Sequence, residues 1–310
     1  MAAITAKMVS ELRAKTNAGM MECKKALSEA NGDFDEAAKI LRERGLAGAA
    51  KKAGRIAAEG VVDIMVDGNC AVIVEVNTET DFATKNEVFK DFLKGIEKVI
   101  IANKPADVNA LLALEFEAGM TVDEKLKEMI GSVIRENMSI RRFNLFEGTT
   151  STYVHGGGAA GVIVKFNADD AAKNNAGFAE FGKNIAMQIA AGNPPTYVCR
   201  DEVPQSAIDE EKQVILNTIK NDEKNANKPD AILEKMVVGK LGKFYERVCL
   251  VDQAYVKDDA LTVGKYIEQC AKEFGGAISV DSFVLYEMGE GLEKKEDNFG
   301  DEIAELLGNK

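Results

Sequence analysis

The sequence predicts an α+β fold with antiparallel sheets, because it combines strand hairpins with amphipathic helices. Residues 60–76 carry β-branched side chains on both sides of Asp67-Gly68-Asn69, which is typical of two strands joined by a tight turn. The strand VIVEVN at 72–77 returns as VIVKFN at 162–167, so the hairpin is present twice. Helical patterns open the chain and follow each hairpin.

The repeated unit consists of two strands and a helix. The turn MVDG at 65–68 matches YVHG at 153–156, and past a single-residue deletion the copies align without gaps. The aligned pairs are Asp81 with Asp170, Asn86 with Asn175, Phe89 with Phe178, Phe92 with Phe181, Lys94 with Lys183, Ile96 with Ile185 and Ile100 with Ile189. In this register Phe82 of the first copy faces Ala171 of the second.

The loop NTETDFATKN at 77–86 places an acid and an aromatic side by side in polar surroundings. Thr84 and Glu87 have the spacing of a capping box for the next helix. That helix already has an apolar face of four residues, Phe89, Phe92, Ile96 and Ile100. Because the second copy does without an aromatic, we expect Phe82 to be exposed and to contact a partner; the alternative is a satellite core residue.

Three short helical patterns between residues 5 and 46 predict a compact helical domain. The turn between its first two helices is followed by Met20 and Met21, which form either an adaptable contact surface or part of a small core. The stretch AGAAKKAGRIAAEG at 47–60 resembles a linker.

A helical hairpin is predicted after the second copy of the repeat. Ser206 and Asp209 have capping-box spacing at the start of its first arm, and the polar stretch 221–230 makes the turn. Each arm has about two heptads, so its exposed apolar residues need a partner surface. A last helical pattern at 297–307 includes Phe299.

Composition limits the kinds of protein that this chain can be. The chain has 310 residues, of which 46% are hydrophobic and 29% charged, as in ordinary globular proteins. No apolar run approaches the ~20 residues of a membrane helix, and the first residues match neither a signal nor a transit peptide, so we expect a cytoplasmic protein without membrane contact. A net charge of −12 argues against direct nucleic-acid binding.

The sequence offers little for catalysis, a metal or a cofactor. The five cysteines contain no Cys-x-x-Cys, and the one histidine, His155, has no cysteine at zinc-ligand spacing. Neither a Gly-x-Ser-x-Gly motif nor a phosphate-cradling loop is present. An interaction protein without metal, cofactor or catalytic residues is therefore favoured over an enzyme.

Five segments together resemble the translation elongation factor Ts family, the guanine-nucleotide exchange factors of elongation factor Tu. They are LRAKTNAGMMECKKALSEANGD at 12–33, TDFATKN at 80–86, MSIRRF at 138–143, YVHGGGAAGVIV at 153–164 and GEGLEKKEDNF at 289–299. The resemblance covers essentially the whole chain. It departs from the family at Asn17, where glycine is usual, and at Ala83-Thr84, where Val-Ala is usual.

The resemblance implies a mechanism and a set of partner-binding residues. The family's Asp-Phe pair falls on Asp81 and Phe82, and the phenylalanine is expected to enter the GTPase domain and to disturb its magnesium and phosphate site. The three-helix domain is similar to ubiquitin-associated domains, and in this family it is expected to dock on the nucleotide-binding domain of elongation factor Tu. The residues implied in partner binding are Arg13, Met20, Met21, Thr80, Asp81, Phe82, His155 and Phe299.

The resemblance also gives domain boundaries and an assembly. We expect a ubiquitin-associated-like domain at 1–55, a first core subdomain at 56–147, a second at 148–203 and 242–287, the inserted helical hairpin at 204–241 and a C-terminal module at 288–310. The hairpin resembles the family's coiled-coil module, which is linked to self-association or partner contact. A homodimer of the complex with elongation factor Tu is therefore one possible assembly.

Three other functions remain open from the residues alone. A ubiquitin-like or peptide-binding adaptor predicts that residues 1–55 bind a partner without the repeat. An RNA-associated or ribosome-associated factor predicts strongly salt-dependent binding. An enzyme with a carboxylate pair predicts turnover of a small molecule.

Overall fold

A computed structural model describes residues 4–117, 119–222 and 228–293. The chain begins with three helices, α1 (Ala6–Thr16), α2 (Met20–Glu29) and α3 (Phe34–Ala50). The Thr5 side chain caps α1, and Asn17 ends it in the left-handed conformation with φ 52°. The side chains buried between the helices include Leu12, Cys23, Leu27 and Leu41.

The predicted linker begins as part of helix α3. Ala49 is buried, and the Lys52 ammonium donates to the Ile130 carbonyl oxygen at 3.1 Å. A Cβ on Gly48 would lie 3.2 Å from Cα of Gly131, and one on Gly131 would lie 2.0 Å from the Gly45 carbonyl oxygen, so the backbones touch where they cross. The small residues of this stretch therefore serve close packing of α3 on the core, and the linker interpretation is wrong for residues 47–50.

The first copy of the repeat opens with the predicted hairpin, β1 (Glu59–Asp67) and β2 (Cys70–Thr78), paired antiparallel. A four-residue helix follows, α4 (Asp81–Thr84), and then α5 (Glu87–Asn103). The four predicted apolar residues of α5 are all buried.

The predicted capping box of α5 is wrong by two residues. Thr84 is the last residue of α4, and its hydroxyl donates to the Asp81 carbonyl oxygen at 2.8 Å. The Asn86 side chain instead caps α5 and accepts from the Val88 amide at 2.9 Å. The short helix α4, which the sequence pattern did not indicate, accounts for the difference.

The first sheet gains a third strand from a segment far along the chain. The elements between are α6 (Val108–Leu112), β3 (Glu115–Glu117), β4 (Met120–Thr121), α7 (Val122–Glu128) and a π-helical turn (Met129–Val133). Strand β5 (Met138–Glu147) then pairs antiparallel with β2, giving the order β1-β2-β5.

The second copy has the same plan. Its hairpin is β6 (Thr149–His155) and β7 (Ala160–Ala168), followed by α8 (Asp170–Lys173) and α9 (Phe178–Ile189). The remaining elements are the 3₁₀ turns Arg200–Glu202 and Leu250–Asp252, β8 (Ala254–Tyr255), β9 (Asp258–Thr262), α12 (Val263–Phe274) and β10 (Ile278–Glu287). Strand β10 pairs antiparallel with β7, giving the order β10-β7-β6.

The two sheets pack face to face, and helices cover their outer faces. Val62 and Ile73 of the first sheet form one buried cluster with Ile163 and Tyr286 of the second. Alternate residues of β2 face α5, so this strand is buried on both sides, which explains its continuous apolar run. At the crossing, a Cβ on Gly161 would lie 2.7 Å from a methyl group of Val62, so only glycine fits without movement.

An antiparallel helical hairpin, α10 (Gln205–Lys220) and α11 (Asp230–Val248), is inserted in the second copy. Its predicted capping box is wrong, because α10 begins one residue before Ser206 and Asp209 accepts from the side chain of Gln205. The apolar side chains of the hairpin that remain exposed are Val214, Ile232 and Val238.

The α+β class with antiparallel sheets is confirmed. The likeness to ubiquitin-associated domains, the coiled-coil character of the hairpin and the domain boundaries stay predictions. The predicted C-terminal helix at 297–307, with Phe299, lies outside the described residues. Among the helices of the described part, none is long and apolar enough to cross a membrane.

Candidate functional site

Phe82 lies on the surface of helix α4 with 75% of its side chain exposed. Its neighbour Ala83 is buried and holds the helix against the core. On the outer face, the Lys85 ammonium binds the Asp81 carboxylate at 2.6 Å and lies 5.1 Å from the centre of the Phe82 ring. The predicted pair of Asp81 and Phe82 is thus presented to solvent on a short, supported helix.

The residue before this pair is fastened to another part of the chain. The Glu136 carboxylate accepts from the Thr80 amide at 2.9 Å and from the Thr80 hydroxyl at 2.7 Å. The Thr78 hydroxyl also donates to the Thr80 carbonyl oxygen at 2.8 Å. All hydrogen-bonding groups of Thr80 therefore have partners, so the start of α4 is fixed.

Contacts beside Glu136 extend this attachment. The Asn137 amide donates to the Glu79 carboxylate at 2.5 Å, and the Asn137 side chain donates to the Arg55 carbonyl oxygen at 2.7 Å. The loop before Phe82 is consequently tied at two successive residues, Glu79 and Thr80. We refer to residues 135–137 as the 135–137 turn.

The predicted contact residues of the helical domain are also exposed. Met20 and Met21 are 57% and 62% exposed, which excludes the core alternative for both, and Arg13 is exposed. Gly19 precedes this pair, and a Cβ built there would lie 2.6 Å from Nη2 of Arg135. The 135–137 turn therefore touches the segment before Met20 as well as the segment before Phe82.

His155 is exposed at the end of β6, where its Nδ1 lies 3.0 Å from the Tyr153 hydroxyl. The glycine turn that follows packs on the first copy, because the Val62 amide donates to the Gly158 carbonyl oxygen at 2.9 Å. His155 thus lies on a turn whose position is set by strand β1.

A groove of about 440 Å³ lies beside the end of α4 and the turn around His155. Its lining includes Thr84 and Lys85, at the end of α4. Val154, Gly157 and Gly158, which flank His155, also line it. The segments that carry Phe82 and His155 therefore border the same groove.

The chain leaves strand β10 through a buried ion-pair network. Glu75 is fully buried and accepts from Arg141 at 2.9 Å, from Arg142 at 2.6 Å and from the Gly289 amide at 2.8 Å. Arg142 also binds the Glu290 carboxylate at 3.0 Å. Burial alone would raise the pKa of Glu75, but the bonds from Gly289 and the two guanidinium groups outweigh burial and lower it. This network fixes the start of the C-terminal segment on the first sheet.

Comparison with known proteins identifies the family. A family model described as Elongation factor TS matches residues 79–290. Elongation factor Ts of Syntrophotalea carbinolica is 45% identical over 307 residues, which cover 98% of this chain and 99% of the relative. The chain belongs to the elongation factor Ts family. It is thus an elongation factor of protein biosynthesis and an exchange factor.

Two further members of the elongation factor Ts family show the same extent of similarity. The protein of Clostridium botulinum is 44% identical over 310 residues, covering 98% of this chain and 99% of the relative. The protein of Trichlorobacter lovleyi is 43% identical over 316 residues, covering 99% and 100%. Similarity along the whole length means that the helical domain, the core and the hairpin all belong to the family pattern.

Sequence reasoning missed Arg135, Glu136 and the roles of Arg141 and Arg142 in this elongation factor Ts chain. A signal was present, because MSIRRF at 138–143 aligns with ISVDSF at 278–283. Both segments form the third strand of a sheet, and both carry a β-bulge, at Arg141 and at Asp281. Extending the repeat to this pair would have indicated the turn that precedes each third strand.

No cluster of three or more histidine, cysteine or acidic side chains that could hold a metal occurs within 4–117, 119–222 and 228–293. Besides Glu75, two acids of the first copy are shielded from solvent, since Glu97 is buried and Asp63 is half-buried. Glu97 is 1% exposed, and burial, with Asp63 nearby, raises its pKa to about 8. Burial also raises the pKa of Asp63.

Proposed function

We propose that this chain binds elongation factor Tu carrying GDP and promotes GDP release by inserting Phe82 near the magnesium and phosphate site, after which GTP rebinds. The observation that carries the proposal is the 75% exposure of Phe82 on a helix whose first residues are tied to the core. An exposed aromatic on a rigid support is suited to enter a partner's cleft, since little conformational freedom is lost on binding.

The exchange mechanism follows from linkage between two ligands. A factor speeds nucleotide release only when it binds the nucleotide-free GTPase more tightly than the loaded one, and the nucleotide must weaken the factor equally. The proposed exchange makes and breaks no covalent bond. The chain would need no cofactor of its own and would displace Mg²⁺ and GDP from the partner.

The free energy available from Phe82 limits its share of the task. Complete burial of a phenylalanine stabilises a complex by about 1.5–3 kcal/mol. At about 1.4 kcal/mol per tenfold, this corresponds to roughly ten- to 150-fold in an equilibrium constant. Other contacts must supply the affinity that holds Phe82 in place, and we assign them to Arg13, Met20, Met21, Asp81, His155 and Phe299. We assign Thr80, whose hydroxyl and amide bind Glu136, to holding the segment before Phe82.

The exposed contact residues favour a distributed interface. Met20 and Met21 present flexible apolar side chains that adapt to a partner surface. Helix α4, which carries Phe82, and the turn around His155 border one groove. We assign the exposed apolar residues of the helical hairpin, Val214, Ile232 and Val238, to self-association or to a second contact with the partner.

The decisive experiment measures release of a fluorescent GDP analogue from elongation factor Tu. With Phe82→Ala at saturating concentration, we expect release to slow by about ten- to 150-fold, and this loss should be much larger than the loss of affinity for nucleotide-free partner. Val66→Ala, which removes a smaller apolar side chain from a residue that is 54% exposed, is the control and should release GDP at the wild-type rate. Equal rates for Phe82→Ala and wild type would refute the mechanism.

A further inference from the structure

The 135–137 turn occupies the same place in the first copy as residues 275–277 in the second. Both precede the third strand of their sheet, and both lie against the loop that enters the short helix, α4 or α8. The alignment of MSIRRF with ISVDSF pairs Arg135-Glu136-Asn137 with Gly275-Gly276-Ala277. The two turns can therefore be compared residue by residue.

In the second copy the loop itself supplies the carboxylate. Asp169, the counterpart of Thr80, accepts from the Ala277 amide at 2.8 Å and from the Ala172 amide at 2.9 Å. Its Oδ1 lies 2.1 Å from where a Cβ on Gly276 would be, so the turn has no room for a side chain at that position. The loop is thus attached through the Asp169 carboxylate to the backbone of the turn at 275–277.

In the first copy the carboxylate belongs to a residue of the turn instead of a residue of the loop. Glu136 replaces Gly276 and Thr80 replaces Asp169, and the acid now holds both the amide and the hydroxyl of Thr80. In both copies a carboxylate joins the loop to the turn. In the first copy the turn carries the carboxylate and the loop donates, whereas in the second copy the loop carries the carboxylate and the turn donates. The side chain at the start of the loop is consequently short.

The turn of the first copy also keeps an unfavourable backbone conformation. Arg135 has φ 67°, close to the φ 72° of its counterpart Gly275, although a residue with a Cβ is disfavoured there. Its guanidinium lies against Gly19, directly before the exposed Met20. A strained residue held by side-chain contacts indicates that the side chains of this turn have a role that the second copy lacks.

We propose that Glu136 is a positioning residue for nucleotide exchange, which fixes helix α4 so that Phe82 is held in the orientation that enters the partner. Glu136 acts through Thr80 and does not itself touch the nucleotide. Arg135 supports the same turn against the helical domain, so the segments before Met20 and before Phe82 share one anchor. The inference rests on the proposed exchange function and adds the group that orients Phe82.

The test compares Glu136→Gly, which copies Gly276, with the wild-type chain in GDP release from elongation factor Tu. We expect the maximal release rate at saturation to fall by about tenfold, because displacing a positioned group by about 1 Å is costly. Affinity for nucleotide-free partner should change by less than about threefold. Amide hydrogen exchange at Thr80 should become faster in the free variant, whereas the melting temperature should stay within a few degrees of wild type.

Two further variants separate positioning from general damage. Thr80→Asp combined with Glu136→Gly reproduces the attachment of the second copy, and it should restore at least half of the wild-type release rate. Asp169→Asn loosens the equivalent loop that carries Ala171 and should leave the release rate unchanged. Failure of the double variant to recover its release rate, although the amide of residue 80 is again protected from hydrogen exchange, would overturn the proposal.

The outcomes also separate this inference from the proposed function. If Phe82→Ala slows release and Glu136→Gly does not, the proposed role of Phe82 is supported and the positioning role of Glu136 is wrong. If Phe82→Ala has no effect, the exchange mechanism itself is wrong, whatever Glu136→Gly does. If both slow release, the Phe82→Ala/Glu136→Gly double variant should be no slower than Phe82→Ala alone. The reason is that Glu136 acts by orienting the Phe82 ring, and the alanine variant has no ring to orient.

Discussion

The two copies of the repeat share a backbone plan and differ in what they present at one loop. Ala83 and Ala172 are both buried at the same point of the short helix. One residue earlier, Phe82 and Ala171 are both exposed. The buried position is thus set by the fold, which both copies satisfy in the same way, whereas the exposed aromatic in the first copy is not required by packing.

The sheets differ in the arrangement of charge at their bulges. In the first copy an acid on the central strand, Glu75, binds Arg141 of the third strand. In the second copy a base on the central strand, Lys165, binds Asp281 at 3.5 Å. The first of these two pairs is also bound by a neighbouring segment, through the Gly289 amide. The acid and the base of this pair thus exchange strands between the two copies. In the first copy, the acid of the pair also holds the C-terminal segment at Gly289.

The helices that cover the sheets differ as well. Glu97 on α5 aligns with Ala186 on α9, and both are buried. Oε1 of Glu97 finds no hydrogen-bond partner among the residues that the structure describes. The first copy therefore carries a buried acid in a place where the second is apolar.

The largest expected effect comes from exchanging the two loops. A chain with Phe82→Ala and Ala171→Phe should release GDP from elongation factor Tu as slowly as Phe82→Ala alone, which is about ten- to 150-fold below wild type. The reason is that the second loop lies on the other subdomain and presents its aromatic elsewhere. The release assay with a fluorescent GDP analogue measures this.

Ala171→Phe alone is the control for that exchange, and it should release GDP at the wild-type rate because position 171 is exposed. Recovery of the exchanged chain to within about threefold of wild type would show that the copies are interchangeable.

The next effect concerns the two charge pairs. Glu75→Gln should lower the free energy of unfolding by about 3 kcal/mol, because it leaves two partly buried guanidinium groups without their carboxylate. Asp281→Asn should cost less than about 1 kcal/mol, since its pair with Lys165 is about one-third exposed. Urea unfolding at pH 7 measures both variants, and equal losses would contradict the difference between the pairs.

The last effect, and the one that depends on pH, concerns Glu97. Its pKa rises from 4.5 in the unfolded chain to about 8 in the folded one. The folded state therefore binds a proton more tightly, so stability is greatest below about pH 4.5 and falls as the pH rises towards 8. Glu97→Gln, which keeps the protonated shape, should be more stable than wild type at pH 8 by up to roughly 3 kcal/mol and equal to it near pH 5.

Thermal unfolding at both pH values tests that prediction. Asp91→Asn removes an exposed acid from the same helix and serves as the matched control. Its melting temperature should follow the wild-type pH dependence. A Glu97→Gln chain that loses stability with pH as steeply as wild type would show that this carboxyl is ionised in the folded protein.

Local patterns predicted much of this molecule. The hairpin of β1 and β2 and the buried face of α5 are confirmed, because each depends on alternation or helical spacing over a few residues. The exposure of Phe82, which was predicted by comparing the two copies, is also confirmed. The capping boxes at Thr84 and Ser206 are wrong, because the motif is short and occurs by chance wherever a hydroxyl precedes an acid by three residues.

Contacts between distant segments were not predicted. The third strands β5 and β10 pair with strands far away in the chain, and nothing in their own alternation indicates a partner. Glu136 looks like one acid among 51 until the structure brings it to Thr80. The assignment of a linker to residues 47–50 failed for the same reason, because small residues equally suit a flexible connection and a close helix crossing.

By itself, the sequence determined the fold class, the repeat and the one aromatic that the second copy lacks, since these depend on periodicity and on comparison of the chain with itself. Its motifs also pointed to the elongation factor Ts family. The tertiary structure decided which residues hold Phe82 in place and which buried charges separate the two copies. Burial and hydrogen-bond partners depend on segments that meet only after folding, and no local pattern records them.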